Sequence, residues 1–183
     1  MPFATRWRED FFPDLSALPT FSAQMSTNTG LIARLTSLSQ SEINARIQTG
    51  HHPYIAFMEK TPVAYGWVAT REASISGFQF FFTIPAKNCY LWNFLTLPEW
   101  RGRGIYPHFL QAIIHQERLA NHFWIGYEPG NEASARGISK AGFHVVSELI
   151  IVAGSVSGLA LFDSSKYAQA SASFFNLPII LEK

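Results

Sequence analysis

Cysteine is almost absent: Cys89 stands alone in 183 residues. One thiol cannot build a disulfide framework, and a reducing compartment is the simpler setting. Charge is also sparse, at 15% of residues, and nearly balanced, with 14 basic against 13 acidic side chains and a net charge of +1. Such a chain has no bulk attraction to nucleic acid or to an anionic membrane, so any anion site has to be local. Long apolar runs are missing too. Leu149 to Phe162 comes nearest, but it is too short for a spanning helix and is interrupted by Gly154, Ser155, Ser157 and Gly158. Met1 to Asp10 already contains Arg6, Arg8, Glu9 and Asp10, which breaks the apolar core of a secretory signal. These shortages predict a cytoplasmic protein with neither nucleic acid nor membrane as partner. Metal-ligand spacing is lacking as well: His51 and His52 are neighbours that point to different sides, so no metal is expected.

What the chain has is apolar mass. With 48% hydrophobic residues, 1–183 reads as one domain with a real core and is too short for two ordinary ones. Residues 1–30, with Pro2, Pro13 and Pro19 among aromatic side chains, read as an irregular lead-in. Leu31 to Ser39 has helical spacing, and Glu42 to Gln48 continues as a second short helix closed by Gly50. Pro53 to Glu59, Val63 to Arg71, Gly77 to Ile84 and Cys89 to Leu97 read as adjacent strands of an antiparallel meander. A helix is predicted from Pro107, with Phe109, Leu110, Ile113, Ile114 and Ala120 on one apolar stripe. Phe123 to Glu128 is a strand, Asn131 to Ala141 a helix capped by Asn131 and ended by Gly142, with Glu132 and Arg136 placed to pair one turn apart. Phe143 to Val152 and Leu159 to Phe162 are two more strands. The tail, 163–183, is too apolar at Phe174, Phe175, Leu177, Ile179 and Ile180 to be left in water, and reads either as an edge strand or as a homodimer contact.

The strand ending at Leu97 runs through Pro98 into Arg101-Gly102-Arg103-Gly104-Ile105-Tyr106 and then into the helix. Strand, glycine loop and helix N-terminus aim unpaired N–H groups in one direction, where the helix dipole adds positive character. Gly102 and Gly104 let the backbone approach a ligand, and Arg101 and Arg103 bring charge. A phosphate fits this, although a solvated basic turn is the plainer alternative. Neither the Walker pattern nor the three-glycine dinucleotide fingerprint is present.

This loop resembles the acyl-CoA loop of the GNAT acyltransferase superfamily, Arg/Gln-x-x-Gly-x-Gly/Ala, and Asn131 to Phe143 resembles that family's Asn-led helix ending in Lys-x-Gly-Phe. The resemblance covers Tyr54 to Val152. It implies an α/β (α+β type) fold with a mostly antiparallel sheet splayed at its centre, and the two early helices as a lip over the acceptor. Acetyl-CoA would be the acyl donor, bound through Arg101, Gly102, Arg103, Gly104, Ile105 and Tyr106, with the backbone of Leu95, Thr96 and Leu97 pairing the pantetheine and Asn131 and Ser134 approaching it. Tyr106 departs from the pattern, which has Gly or Ala there, so its side chain has to point away.

The resemblance further implies an N-acyltransferase moving an acetyl group to an amine of an unidentified acceptor. Two of the family's usual catalytic residues are missing: Gly126 stands at one branch's acid and Ile138 at the helix tyrosine. Glu128, the carboxylate nearest the end of its strand, is the candidate catalytic base, with an ordinary surface glutamate as the alternative. A catalytically inactive acyl-CoA-binding sensor or interaction module is the competing reading. A longer acyl chain, lined by Phe78 to Phe82, also remains open.

Overall fold

The computed structural model describes residues 1–180. The first strand, β1 (Pro2–Trp7), is followed by β2 (Phe21–Met25), α1 (Thr29–Thr36), α2 (Gln40–Gln48), β3 (His51–Met58) and β4 (Thr61–Ala69). A small hairpin, β5 (Glu72–Ile75) and β6 (Phe80–Thr83), leads to β7 (Asn88–Thr96), α3 (Ile105–Gln116), β8 (His122–Gly126) and α4 (Glu132–Lys140). The chain ends with β9 (His144–Val152), β10 (Ser155–Leu161) and α5 (Lys166–Phe175). Among the described residues eight strands form one sheet in the order β10-β9-β1-β8-β7-β4-β3-β2, in which β7 and β8 pair parallel and the other neighbours antiparallel.

The main departure from the sequence reading is at the start. Residues 1–30 are not a loose lead-in, because β1 lies inside the sheet between β8 and β9. Phe3 and Ala4 are fully buried on opposite faces, and two polar side chains go in with them. The Thr5 hydroxyl donates to the Phe123 carbonyl at 3.0 Å. Arg6 donates to the carbonyls of Asp10, Phe11 and Gly142, and its guanidinium lies 3.9 Å from the centre of the Phe12 ring. The terminal N–H groups are satisfied in this way, which makes the burial tolerable, while the Nε–H has no partner among the described residues.

The helices divide between the faces. α3 packs Phe109, Leu110, Ile113 and Ile114 against Ala56, Val68, Leu91 and Ile125 on one face. α1 and α2 cover Ile55 and Trp67 on the other with Ile32 and Ile43. The tail is mostly a helix, α5, and not the edge strand predicted for it. Phe174 and Phe175 of α5 cover Phe3 and Trp124, so the chain itself buries them, while Ile179 bridges Leu159 of β10. Residues 181–183 of that tail lie outside the described residues.

The segment Gly77 to Ile84 is not one strand, since β6 is preceded by a 3-10 turn and by β5, which sequence reading missed. Among the described residues, Lys166 pairs with Glu9 and His52 meets Glu117, and the expected Glu132–Arg136 pair does not form.

Candidate active site

β7 pairs with β8 only from Asn88↔His122 to Leu91↔Ile125. Beyond that point β8 stops at Gly126, whereas β7 continues to Thr96 along β4. A bulge starts the divergence. Asn93 takes a φ of +53°, and the β4–β7 register slips between Trp67↔Trp92 and Tyr65↔Leu95. Gly66 makes this possible, because a side chain there would occupy the space of the Phe94 ring. Phe94, Leu95 and Thr96 therefore line a cleft.

The loop after β7 forms the cleft's rim. Gly102 and Gly104 have φ values of +75° and +77°, a region that non-glycine residues enter at a cost. α3 begins at Ile105, two residues earlier than predicted, so Pro107 is its third residue and the N–H it removes is deeper in the first turn. The N–H groups from Gly102 to Tyr106 have no partner among the described residues. Arg101 Nε donates to the Thr96 carbonyl at 3.1 Å, tying the loop to the end of β7. Arg103 instead lies over the Trp100 ring, 4.8 Å from its centre.

α4 supplies the far wall. Asn131 caps it by accepting from the Ser134 N–H at 3.0 Å, which occupies the amide oxygen and leaves the Asn131 NH2 free to donate. The cleft between these elements measures about 570 Å3. Arg101, Arg136 and Lys140 line it and no carboxylate does, so the lining favours an anion. Tyr106 reaches from α3 toward Gly137 of α4 and Phe94, 5.7 Å between ring centres for the latter. Burial pushes its phenol up to about 12, with the Ser134 hydroxyl acting in the opposite direction.

Of the residues expected to hold an acyl donor, Leu95, Thr96, Arg101, Gly102, Gly104, Ile105, Tyr106, Asn131 and Ser134 line this one cleft. Leu97 and Arg103 adjoin it without lining it. Glu128 is exposed, between β8 and α4, with its carbonyl accepting from the Asn131 N–H at 3.0 Å. Its charge reaches Tyr90, whose phenol is raised by burial first and by Glu128 second. Ile138 is fully buried in the core. Sequence reading missed Phe94, Trp100, Ala133, Arg136, Gly137 and Lys140. The helical spacing of 133, 136, 137 and 140 carried the signal, since these positions share one face of α4.

His51 and His52 do face opposite ways. His52 meets Glu117 at 2.7 Å, where Tyr54 also donates at 3.0 Å, on the α3 face. His51 accepts from the Trp92 indole N–H at 3.1 Å on the other face. Among the described residues no group of three His, Cys, Asp or Glu side chains could hold a metal ion, and no helix is long and apolar enough to cross a membrane.

The fold is shared with solved acetyltransferases. The aminoglycoside enzyme AAC(6')-Iy, solved with the bisubstrate analogue CoA-S-monomethyl-acetylneamine, matches at a TM-score of 0.53 and 14% identity, over 72% of this chain and 96% of its own. An aminoglycoside acetyltransferase, meta-AAC0020, from an uncultured soil metagenomic sample, solved with sisomicin, matches at 0.52 and 8% identity, over 72% of this chain and 91% of its own. A GCN5-related N-acetyltransferase from Kribbella flavida matches at 0.51 and 13% identity, over 79% of this chain and 53% of its own. No curated protein matches in sequence. The model of the Acetyltransferase (GNAT) family matches residues 12–143. With that match over most of its length, and a splayed sheet beside a cationic cleft, the chain belongs to the GNAT acetyltransferase family and is an N-acetyltransferase that moves an acetyl group from acetyl-CoA to an amine.

Proposed function

We propose that residues 1–183 act as one acyltransferase domain in which the cleft between β7, α3 and α4 holds acetyl-CoA. The lining of that cleft carries the reading: partnerless N–H groups, three cations and no carboxylate, at the point where two central strands part. The pyrophosphate sits on the N–H groups of Gly102 to Tyr106, with Arg101 and Arg103 as supporting charge. The pantetheine runs along Leu95, Thr96 and Leu97, and the free amide N–H of Asn131 and the Ser134 hydroxyl serve its polar groups. The thioester then lies in the splay, where proximity and a backbone N–H toward its carbonyl supply much of the rate.

The amine attacks the thioester carbonyl directly. Its nitrogen forms the new C–N bond, the C–S bond breaks, and CoA leaves as a thiolate that needs little assistance because thiols are acidic. Glu128, just past the end of β8, takes the amine proton, directly or through water. A cytoplasmic setting agrees with a lone, fully buried thiol at Cys89.

Thermal unfolding with acetyl-CoA, CoA and adenosine phosphates tests the binding, and thiol release with a panel of amines tests the chemistry. Stabilisation by CoA together with turnover is the expected result. Stabilisation with no amine turned over would point to a sensor, and no stabilisation at millimolar CoA would remove the site assignment.

A further inference from the structure

On the face of the sheet away from α3, a second cavity of about 300 Å3 opens between the start of β3, the β5–β6 hairpin and β7. Trp92 forms one wall. It is the first residue of β7 beyond Leu91, the last to pair with β8, so this cavity adjoins the point where the strands part. Phe82 is held in place from behind, 5.4 Å from Tyr90, 5.6 Å from Phe174 and 5.1 Å from Phe175 between ring centres. Phe81, next to it on β6, is 77% exposed and stands at the mouth.

The polar groups are few and specific. Glu72 and Ser74 line the hairpin side. His51 lines the β3 side, and because its Nδ1 accepts from Trp92, the neutral ring carries its proton on Nε2. Burial first and the charge of Arg46 second pull the His51 pKa down to about 4, so the ring is a neutral donor and not a base at ordinary pH. Arg46 itself packs 4.7 Å from the Trp92 ring centre and 5.0 Å from that of Trp67, a fixed positive charge beside the cavity wall.

Resting on the acetyl-CoA reading above, we propose that this cavity holds the acceptor, and that the acceptor is a single primary amine on a flat aromatic body, an arylalkylamine. Aromatic walls on two sides match a planar ring, and a cavity of this volume matches a small ligand. One carboxylate, Glu72, attracts one ammonium. A polycationic aminosugar needs an acid for each ammonium, and this lining offers one. A long acyl chain fits worse, because it would strip water from Glu72, Ser74 and His51 without returning hydrogen bonds. The Phe80 ring, one of those expected to line such a chain, packs against Phe175 and does not line the cavity. In the reaction the neutral amine forms the amide C–N bond, its proton passes to the base, and CoA leaves with the sulfur electron pair, which gives an N-acetylarylalkylamine and CoA.

Acetyl transfer to tryptamine and phenethylamine, compared with sisomicin and neamine, tests this. The arylalkylamines are expected to have kcat/KM about a hundredfold higher. Phe81→Ala removes an exposed ring, and is expected to raise the tryptamine KM about tenfold with kcat and the CoA-induced rise in Tm unchanged. Leu119→Ala, at a 90% exposed position after α3, serves as the control and is expected to change neither. Equal or better turnover of the aminosugars, or an unchanged tryptamine KM in Phe81→Ala, overturns the proposal. So does a Phe81→Ala effect confined to the KM of hexanoyl-CoA, which would make the cavity an acyl channel. If neither amine class turns over, calorimetric titration of tryptamine into the CoA complex decides: binding lost in Phe81→Ala supports the cavity, and no binding overturns it. Failure of CoA to stabilise the protein would instead strike the acetyl-CoA reading, and is seen before any amine is added.

Discussion

The Tyr106 ring lies so close to Gly137 that a β-carbon at position 137 would stand 2.5 Å from its Cδ1. This contact joins the first turn of α3 to the middle of α4 and accounts for a tyrosine where the family has a small residue: its bulk goes between the helices, away from the loop backbone. Gly137→Ala ought to raise helix propensity but push the ring out, for a net loss of about 1–3 kcal/mol. The CoA-induced rise in Tm should shrink with it. Thermal unfolding of Gly137→Ala and of Gly137→Ala with Tyr106→Ala checks this, since the second change removes the clash. Equal stability of the single and double variants would show that the contact does not matter.

Gly104→Val is expected to abolish stabilisation by CoA while the fold survives. The nearest atom to a β-carbon there is His108 Nδ1 at 3.9 Å, so no internal clash is created, although the φ of +77° adds about 1–2 kcal/mol of strain. The branched side chain would cover the N–H groups of the loop. Arg103→Ala should do less, because that charge is screened and stacked on Trp100. Melting curves at a series of CoA concentrations read both, and a larger effect at Arg103 would mean that charge, not backbone, binds the anion.

Glu128→Gln should leave CoA binding intact and lower turnover about a hundredfold, as expected for a lost general base. Raising pH should partly rescue it, because the free amine then needs no base. The pH–rate profiles of both proteins decide, and profiles that superimpose would exclude Glu128.

The parts of this molecule that could be read in advance are those whose signal is local. α3 was visible from the spacing of Phe109, Leu110, Ile113 and Ile114, all fully buried, and the loop from its glycines, both of which adopt positive φ. β1 was not, because a strand buried on both faces shows no alternation, and Thr5 and Arg6 disguise it as surface. Their partners, Phe123 and Gly142, lie more than a hundred residues away. Gly137 escaped for the same reason: its role depends on Tyr106, which no local pattern connects to it. α5 was hidden by its composition, since Ser, Ala and Phe at helical spacing in a short tail read equally well as a strand.

His51 gives a pH dependence with a defined sign. Its ordinary pKa of 6.5 falls to about 4 in the folded protein, so the unfolded chain binds the proton more readily. The stabilisation is complete above pH 6.5, declines as pH falls from there toward 4, and has no further to fall below that. Burial pulls His122 in the same direction, so a slope remains when His51 is removed. Tm measured from pH 7 to pH 4 should drop less steeply in His51→Gln, whose amide oxygen can still accept from Trp92. Parallel curves for the two proteins would mean that the buried imidazole is not what acid attacks.

The position of β1 sets assembly against synthesis. Phe3 pairs with Gly126 and Ser147, so β1 gains its first neighbour in the sheet only once β8, more than a hundred residues further along, has been made. Until β1 docks the β8–β9 gap stays open, whereas the β2-β3-β4-β7 half joins strands close in sequence. Closing the gap is a late event of high contact order, which slows folding and leaves two strand edges exposed while it is pending.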